Sequence, residues 1–341
     1  MSQVHTESSP TRMAPRGGAS RAPFQWARFA ESFALVGALL ILFAIFGILK
    51  PQAFLSWANI STMLGSQAVL VLLTLALIIP LTAGDFDLSI AATLTMSAMT
   101  IAVLNAQMGI PLAGAVAVAI AIGAIIGCVN AGFILYFRIP SLIVTLGTGT
   151  FINGLVLWIS NSNTISGIDP FLVTYVVVTR VFGIPLAFYY ALGLCILLWY
   201  FFGFTAAGRR LLFVGRGREV ARLSGIPVDR VRFAALVCSG VLSAITGMMY
   251  AGTIGAADPN SGNTFLLPAF AAAFLGATSI TPGRFNAWGS LVAVYFLVIG
   301  ITGLTMLGID TFVQNLFYGG ALVLAVALSQ LVRKREAQDF S

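Results

Sequence analysis

Long apolar runs separated by short polar breaks repeat along almost the whole chain. Ten of them fall at roughly 31–49, 65–82, 88–105, 112–136, 141–160, 185–204, 233–251, 266–280, 287–305 and 312–331. Most approach the roughly 20 residues a helix needs to cross a hydrocarbon core of about 30 Å. In lipid the backbone must satisfy its own polar groups, so such runs predict an all-α fold, a polytopic transmembrane bundle of about ten spanning helices. The polar first 28 residues, rich in Ser, Pro and Arg, are expected to be a disordered tail. A transmembrane domain over 29–332 follows, with a polar segment at 205–232, and 333–341 forms a short C-terminal tail. The run from Phe33 to Leu49 is too long for the core of a cleaved leader and is expected to remain as a span.

Composition agrees with that class. The chain is 59% hydrophobic and 9% charged, and its mean hydropathy is +0.98 over 341 residues. A net charge of +7 would otherwise point to nucleic acid, but basic excess in a membrane protein marks cytoplasmic loops, so no nucleic-acid partner is expected. With ten alternating spans and both termini cytoplasmic, Arg12, Arg16, Arg21, Arg28, Arg138, seven arginines between 209 and 232, Arg284, Arg333, Lys334 and Arg335 lie inside. Only Lys50 and Arg180 lie outside. The opposite orientation would violate this rule at nearly every loop. The expected location is a membrane crossed many times, with the basic loops on its cytoplasmic side.

Chemistry is scarce. The sequence holds no phosphate-binding Gly-x-x-x-x-Gly-Lys-Ser/Thr loop, no His-Glu-x-x-His, no Gly-x-Ser-x-Gly and no cysteine pair at metal spacing. No enzyme activity, bound metal or bound cofactor is therefore expected of the chain itself. His5, the one histidine, lies in the N-terminal tail, and Cys128, Cys195 and Cys238 fall within spans as small apolar groups.

Polar residues at membrane depth narrow the search. Asp85 and Asp87, in Gly84-Asp-Phe-Asp-Leu-Ser89, sit between two spans behind Pro80. An aspartate at the centre of a bilayer helix costs about 2.5–3.5 kcal/mol, so both are expected at an interface or facing water or protein. Two readings stand: a tight turn in which Asp87 or Ser89 caps the next helix, or a broken-helix element beside a transport route. Asn130, Asn153, Thr145 and Thr148 are expected to face the bundle interior, because unpaired polar groups in hydrocarbon are expensive. Asp85, Phe86, Asp87, Ser89, Asn130, Thr145 and Asn153 are the candidate pathway residues. Gly123 with Gly127, and Gly300 with Gly303, fit close helix packing. Outside, 161–184 and 252–265 are long enough to dock another protein.

The segment Gly208–Arg232 carries 7 of the 18 basic residues. Within it, Gly217–Ser224 reads as a short helix with a Glu219–Arg222 pair, a Gly225 C-cap and a stop at Pro227. Two turns are too few to be stable alone, so this helix must pack on something, either a partner protein or lipid headgroups.

Glu219-Val-Ala-Arg-Leu-Ser-Gly-Ile-Pro-Val-Asp-Arg-Val231 resembles the cytoplasmic segment of inner-membrane permeases of ribose-type ABC sugar importers. Gly84-Asp-Phe-Asp-Leu-Ser89 is similar to that family's Gly-Gly-Ile-Asp-Leu-Ser. Arg138-Ile-Pro-Ser-Leu-Ile-Val-Thr-Leu-Gly147, Gly276-Ala-Thr-Ser279 and a last helix with a basic tail follow in the same order, so the resemblance covers about residues 33–333. It implies a permease subunit for a monosaccharide or sugar alcohol. Its implied partners are cytoplasmic ABC ATPase subunits that hold ATP and Mg, a periplasmic sugar-binding protein, and a second copy or related permease. The implied coupling residues are Gly208, Arg209, Glu219, Ala221, Arg222, Leu223, Ser224, Gly225 and Arg230. Departures occur at Leu266–Ala271, where relatives commonly carry an acid, at Ile280–Trp288, and at Asp85, which replaces a residue that is often apolar. The alternative from the residues alone is an ion-coupled carrier that protonates Asp85 or Asp87.

Overall fold

The computed structural model describes the backbone of residues 25–310 and 312–338, and side chains from 32 to 310 and 312 to 327. Most of the predicted tail, with His5, Arg12, Arg16 and Arg21, lies outside the described residues, as do the side chains of Arg28, Arg333, Lys334 and Arg335. The first half contains α1 (Gln25–Leu49), α2 (Pro51–Phe54), α3 (Trp57–Ser66), α4 (Ala68–Thr82), α5 (Ile90–Ala102), α6 (Leu112–Leu135), α7 (Ser141–Ile159) and α8 (Pro170–Val173). The second contains α9 (Leu186–Phe204), α10 (Ala206–Arg216), α11 (Arg218–Leu223), α12 (Val228–Ile254), α13 (Asn263–Gly276), α14 (Ala287–Met306) and α15 (Phe312–Gln338). Strand pairs are minimal: β1 (Ile165–Ser166) with β4 (Ala256–Ala257), and β2 (Arg180–Val181) with β3 (Ile184–Pro185), both antiparallel.

Eight described helical stretches are long and apolar enough to cross a membrane, and α13 and the apolar part of α15 are shorter. Each coincides with one of the ten predicted runs. Boundaries moved where side chains intervene. Helix α1 begins at Gln25, inside the segment expected as tail, and α15 runs to Gln338, past the expected end of the last span. The second span starts at Trp57, because Ser56 Oγ accepts from the Asn59 amide at 3.3 Å and starts a helix eight residues early. The eighth ends at Gly276, because Asn286 Nδ2 donates to the carbonyls of Gly276, Ser279 and Arg284 and holds 277–286 as a turn.

Contacts between connections divide the bundle into two ends, as alternating crossings require. At one end, Arg218 and Arg232 reach the 83–89 connection, and Ser279 Oγ donates to Ser32 O at the start of the first apolar run. At the other, β1 pairs with β4, Asp169 N donates to Asn105 Oδ1, and Ser61 Oγ donates to Gly183 O. Among residues with described side chains, Arg138, Arg209, Arg210, Arg216, Arg218, Arg222, Arg230, Arg232 and Arg284 belong to the first end, against Lys50 and Arg180.

Helix α4 is buried along its whole length and forms the axis of the fold. An element apolar all round belongs in an interior, and α4 is apolar at all but Thr74 and Thr82, whose hydroxyls donate to Leu70 O and Ile78 O. Helix α12 packs on α4, α5 and α6. It approaches α6 backbone to backbone, since a Cβ on Gly123 would lie 2.5 Å from Gly240 O and one on Gly127 2.7 Å from Leu236 O. Small residues are what permit such contact where leaving lipid gains apolar side chains little.

Candidate functional site

The connection after α4 is shaped by two local features. Pro80 lies within the last turn, and Asp85 N closes back on Pro80 O at 2.9 Å. Gly84 takes φ +80°, a conformation side chains disfavour, and turns the chain towards the basic end. Asp85 then points into protein. Its carboxylate is 2% exposed and receives Arg232 Nε and Nη2, each at 2.7 Å, on its two oxygens, with Arg218 Nη2 at 3.0 Å. Arg218 Nη2 also donates to Gly84 O at 2.8 Å.

Asp87 makes a separate polar knot. Oδ1 accepts from Ser89 N at 3.0 Å and Ser89 Oγ at 2.6 Å, while Oδ2 accepts from Ser239 Oγ of α12 at 2.8 Å. Asn130 Nδ2 of α6 donates to Ser89 Oγ at 2.8 Å. Burial pushes the Asp87 carboxyl above the usual carboxylate range, opposed by these hydroxyl bonds. Of the two expected caps, Asp87 supplies the bond ahead of α5; Ser89 occupies the N-cap position without a side-chain cap. Thr145 is buried and accepts from Leu88 N at 3.0 Å, and Ser141 Oγ accepts from Phe86 N at 3.0 Å, so the start of α7 holds the same segment.

The seven pathway candidates therefore divide. Asp85, Asp87, Ser89, Asn130 and Thr145 are enclosed by protein. Phe86 is 40% exposed and stacks at 6.4 Å on both Phe270 and Phe274. It lines a groove of about 450 Å³ with Leu142 of α7, Asn263 and Leu267 of α13 and Leu322 of α15. Asn153 is half-buried on α7, and its Nδ2 reaches Asn263 Oδ1 at 3.5 Å. Phe270, Phe274 and Asn263 were not legible as site residues. Arg218 and Arg232 were visible only as members of a basic segment; two acids facing the same side as seven arginines were the available signal.

The basic segment folds as α10 and α11. Thr205 Oγ1 accepts from Gly208 N at 3.0 Å to start α10, and Gly208 lies so close to Phe201 O that only a hydrogen fits. Gly215 lies in the same way on Thr82 O, tying α10 to the end of the central helix. In α11, Ala221 is buried with Val214 and Val228 and pins the helix to the body. Gly225 takes φ +77° beyond its last turn, as the sequence predicts. Glu219 and Arg222 pair at 3.5 Å on the surface, Ser224 Oγ donates to Val220 O, and Arg209 and Arg230 are exposed. Leu223 is 89% exposed beside exposed Val220, an apolar tip on a basic helix.

Residues 59–326 match the family model described as branched-chain amino acid transport system / permease component. The chain belongs to this permease family. It is 32% identical over 307 residues to the autoinducer 2 import system permease protein LsrD of Photorhabdus laumondii, covering 88% of this chain and 91% of the relative. It is 30% identical over 314 residues to the D-allose transport system permease protein AlsC of Escherichia coli, covering 92% and 95%. No solved structure matches the chain. The permease is thus a multi-pass inner-membrane transport component, and the bundle and its two-ended charge distribution are the scaffold of that role.

Proposed function

We propose that this permease is the membrane subunit of an ATP-driven importer for a monosaccharide or sugar alcohol. One observation carries the substrate class. The groove beside Phe86 is lined by aromatic rings, aliphatic side chains and the Asn263 amide, with no charged side chain among the described residues that line it. An amino acid would bring an ammonium and a carboxylate needing charged partners, whereas a sugar presents hydroxyls for amides and C–H faces for rings. The whole-length similarity to a D-allose permease supports the same class. In this reading Phe86 and Asn153 border the route, and Asp85, Asp87, Ser89, Asn130 and Thr145 hold its wall.

Helix α11 is the contact for cytoplasmic ATPase subunits, which hold ATP and Mg, since this chain has no phosphate-binding loop. Leu223 and Val220 present the apolar tip, with Glu219, Arg222, Ser224 and Arg209 around it. Ala221 and Gly225 fix its pose, and Arg230 and Gly208 shape its base. The joined connections 161–184 and 252–265 receive a periplasmic sugar-binding protein, and a second permease copy or related permease completes the route.

The test is uptake of labelled D-allose and labelled leucine into vesicles holding the chain with candidate ATPase and binding-protein partners. Uptake of the sugar that needs ATP and both partners, and ignores a proton gradient, is expected. Gradient-driven uptake by the chain alone would overturn this reading in favour of an ion-coupled carrier. Phe86→Ala should lower uptake at subsaturating sugar about tenfold, the value of one aromatic contact near 1.4 kcal/mol, with ATPase association unchanged.

A further inference from the structure

Asp85 differs from every other acid described here in having two arginine partners from two different elements, and those partners are unequal. Arg232 lies in α12, is 12% exposed and grips both carboxylate oxygens. Arg218 is the first residue of α11, is 41% exposed and reaches one oxygen with a single nitrogen. The first is a fixed arm on a 27-residue helix. The second is water-accessible and carried by a six-residue helix between extended Gly217 and left-handed Gly225.

What Asp85 holds is equally specific. Arg218 bonds Gly84 O as well as Asp85, and the next residue, Phe86, lines the groove together with Leu88. Arg218 thus links the outward helix directly to the backbone on which the Phe86 ring is mounted. Along the same stretch, Phe86 N is held by Ser141 Oγ and Leu88 N by Thr145 Oγ1, so a shift at 84–86 is also delivered to the start of α7. A basin of about 590 Å³ opens beside the ion pair, walled by Arg138, Ser141, Arg222 and Asp229, and gives the Arg218 side chain room to leave.

We propose that Asp85 and Arg218 form the tie that transmits displacement of α11 to the groove, with Arg232 as its anchor. Asp85 is a positioning residue: it touches no substrate and acts through the placement of Phe86. Movement of α11 away from the bundle pulls or breaks the single Arg218 arm, while the two-bonded Arg232 arm keeps the buried carboxylate paired. An ion pair that can be half released suits a two-state element, because the carboxylate is never left buried without a partner. The proposal rests on the reading of α11 as the ATPase contact.

The experiment uses the full chain with its ATPase subunit in vesicles. Cys128, Cys195 and Cys238 are replaced by alanine, and a bimane is attached at Phe86→Cys. Its emission is read with and without Mg-ATP and vanadate. With Arg218 present, an ATP-dependent emission change is expected. Arg218→Gln should reduce that change at least fivefold while ATPase association and ATP hydrolysis persist, and Arg218→Lys, which restores a single charged donor, should recover most of it. Arg218 is on the surface, so its variants keep the fold; Asp85→Asn, if folded, should behave as Arg218→Gln. An undiminished emission change in Arg218→Gln overturns the proposal. So does loss of ATPase association in that variant, which would make Arg218 a docking contact. If the unsubstituted chain binds no ATPase subunit, the reading of α11 fails first, and that result is separately visible.

Discussion

Leu223→Asp is expected to leave the permease folded and inserted while abolishing its association with the ATPase and all ATP-driven uptake. Leu223 is 89% exposed, so the isolated chain loses no packing when it changes. Its apolar surface has value only when covered by a partner, and a central apolar anchor of an interface contributes about 2 kcal/mol or more, roughly 30-fold in affinity. Aspartate adds the cost of desolvating a charge at the same point. Co-purification and thermal unfolding of the detergent-solubilised chain separate the effects: association should be lost with the unfolding temperature unchanged. Equal association of Leu223→Asp and the unsubstituted chain would remove α11 from the coupling interface. Ala221→Asp should do the reverse damage first, lowering stability, since Ala221 is buried with Val214 and Val228.

Gly123→Leu is expected to prevent folding altogether. The first added carbon would lie 2.5 Å from Gly240 O and 2.6 Å from Ala244 Cβ, so α6 and α12 could not keep their contact. Even Gly123→Ala should cost about 1–3 kcal/mol, the range for overpacking a close-packed interior. Gly132→Ala is the control in the same helix: its added Cβ meets nothing within 4 Å, and the change should be neutral or stabilise by up to about 1 kcal/mol through helix propensity. Thermal unfolding in detergent reads all three. A Gly123→Leu protein as stable as Gly132→Ala would mean that α6 and α12 do not meet here.

Both expectations join features of different range. The exposed tip of α11 follows from a short segment: helix formers, a Glu219–Arg222 pair, glycine where φ is +77°, then Pro227. The small residues of α6 were equally visible, and their role as contact points was readable because lipid offers few other ways to bring helices together. Which helix they meet was not. The partner glycine, Gly240, lies well beyond Gly123 in the chain, and no local periodicity names it.

The motif Gly84–Ser89 shows the same division within six residues. Its location between two spans follows from composition, and turn chemistry offers a cap on the next helix from Asp87 or Ser89, between which only the fold chooses. Its two acids nevertheless have different fates. Asp85 meets arginines 133 and 147 residues away, while Asp87 meets a serine 152 residues away. Phe86, between them, faces an open groove whose other aromatic wall comes from α13.

The sequence by itself determined the class, the ten apolar runs, the basic side and the short helix at 218–223. Each is encoded by a sum over neighbouring residues: apolar length against bilayer thickness, charge count against side, and cap residues against helix ends. Only the tertiary structure decided which helices touch, which arginines hold Asp85 and which ring opens to the groove. In a membrane the apolar faces of all spans are nearly equivalent to lipid and to one another, so hydrophobicity places helices in the bilayer without choosing their neighbours. That choice is made by backbone contacts at glycines and by a few polar pairs, and these exist only once the helices are assembled.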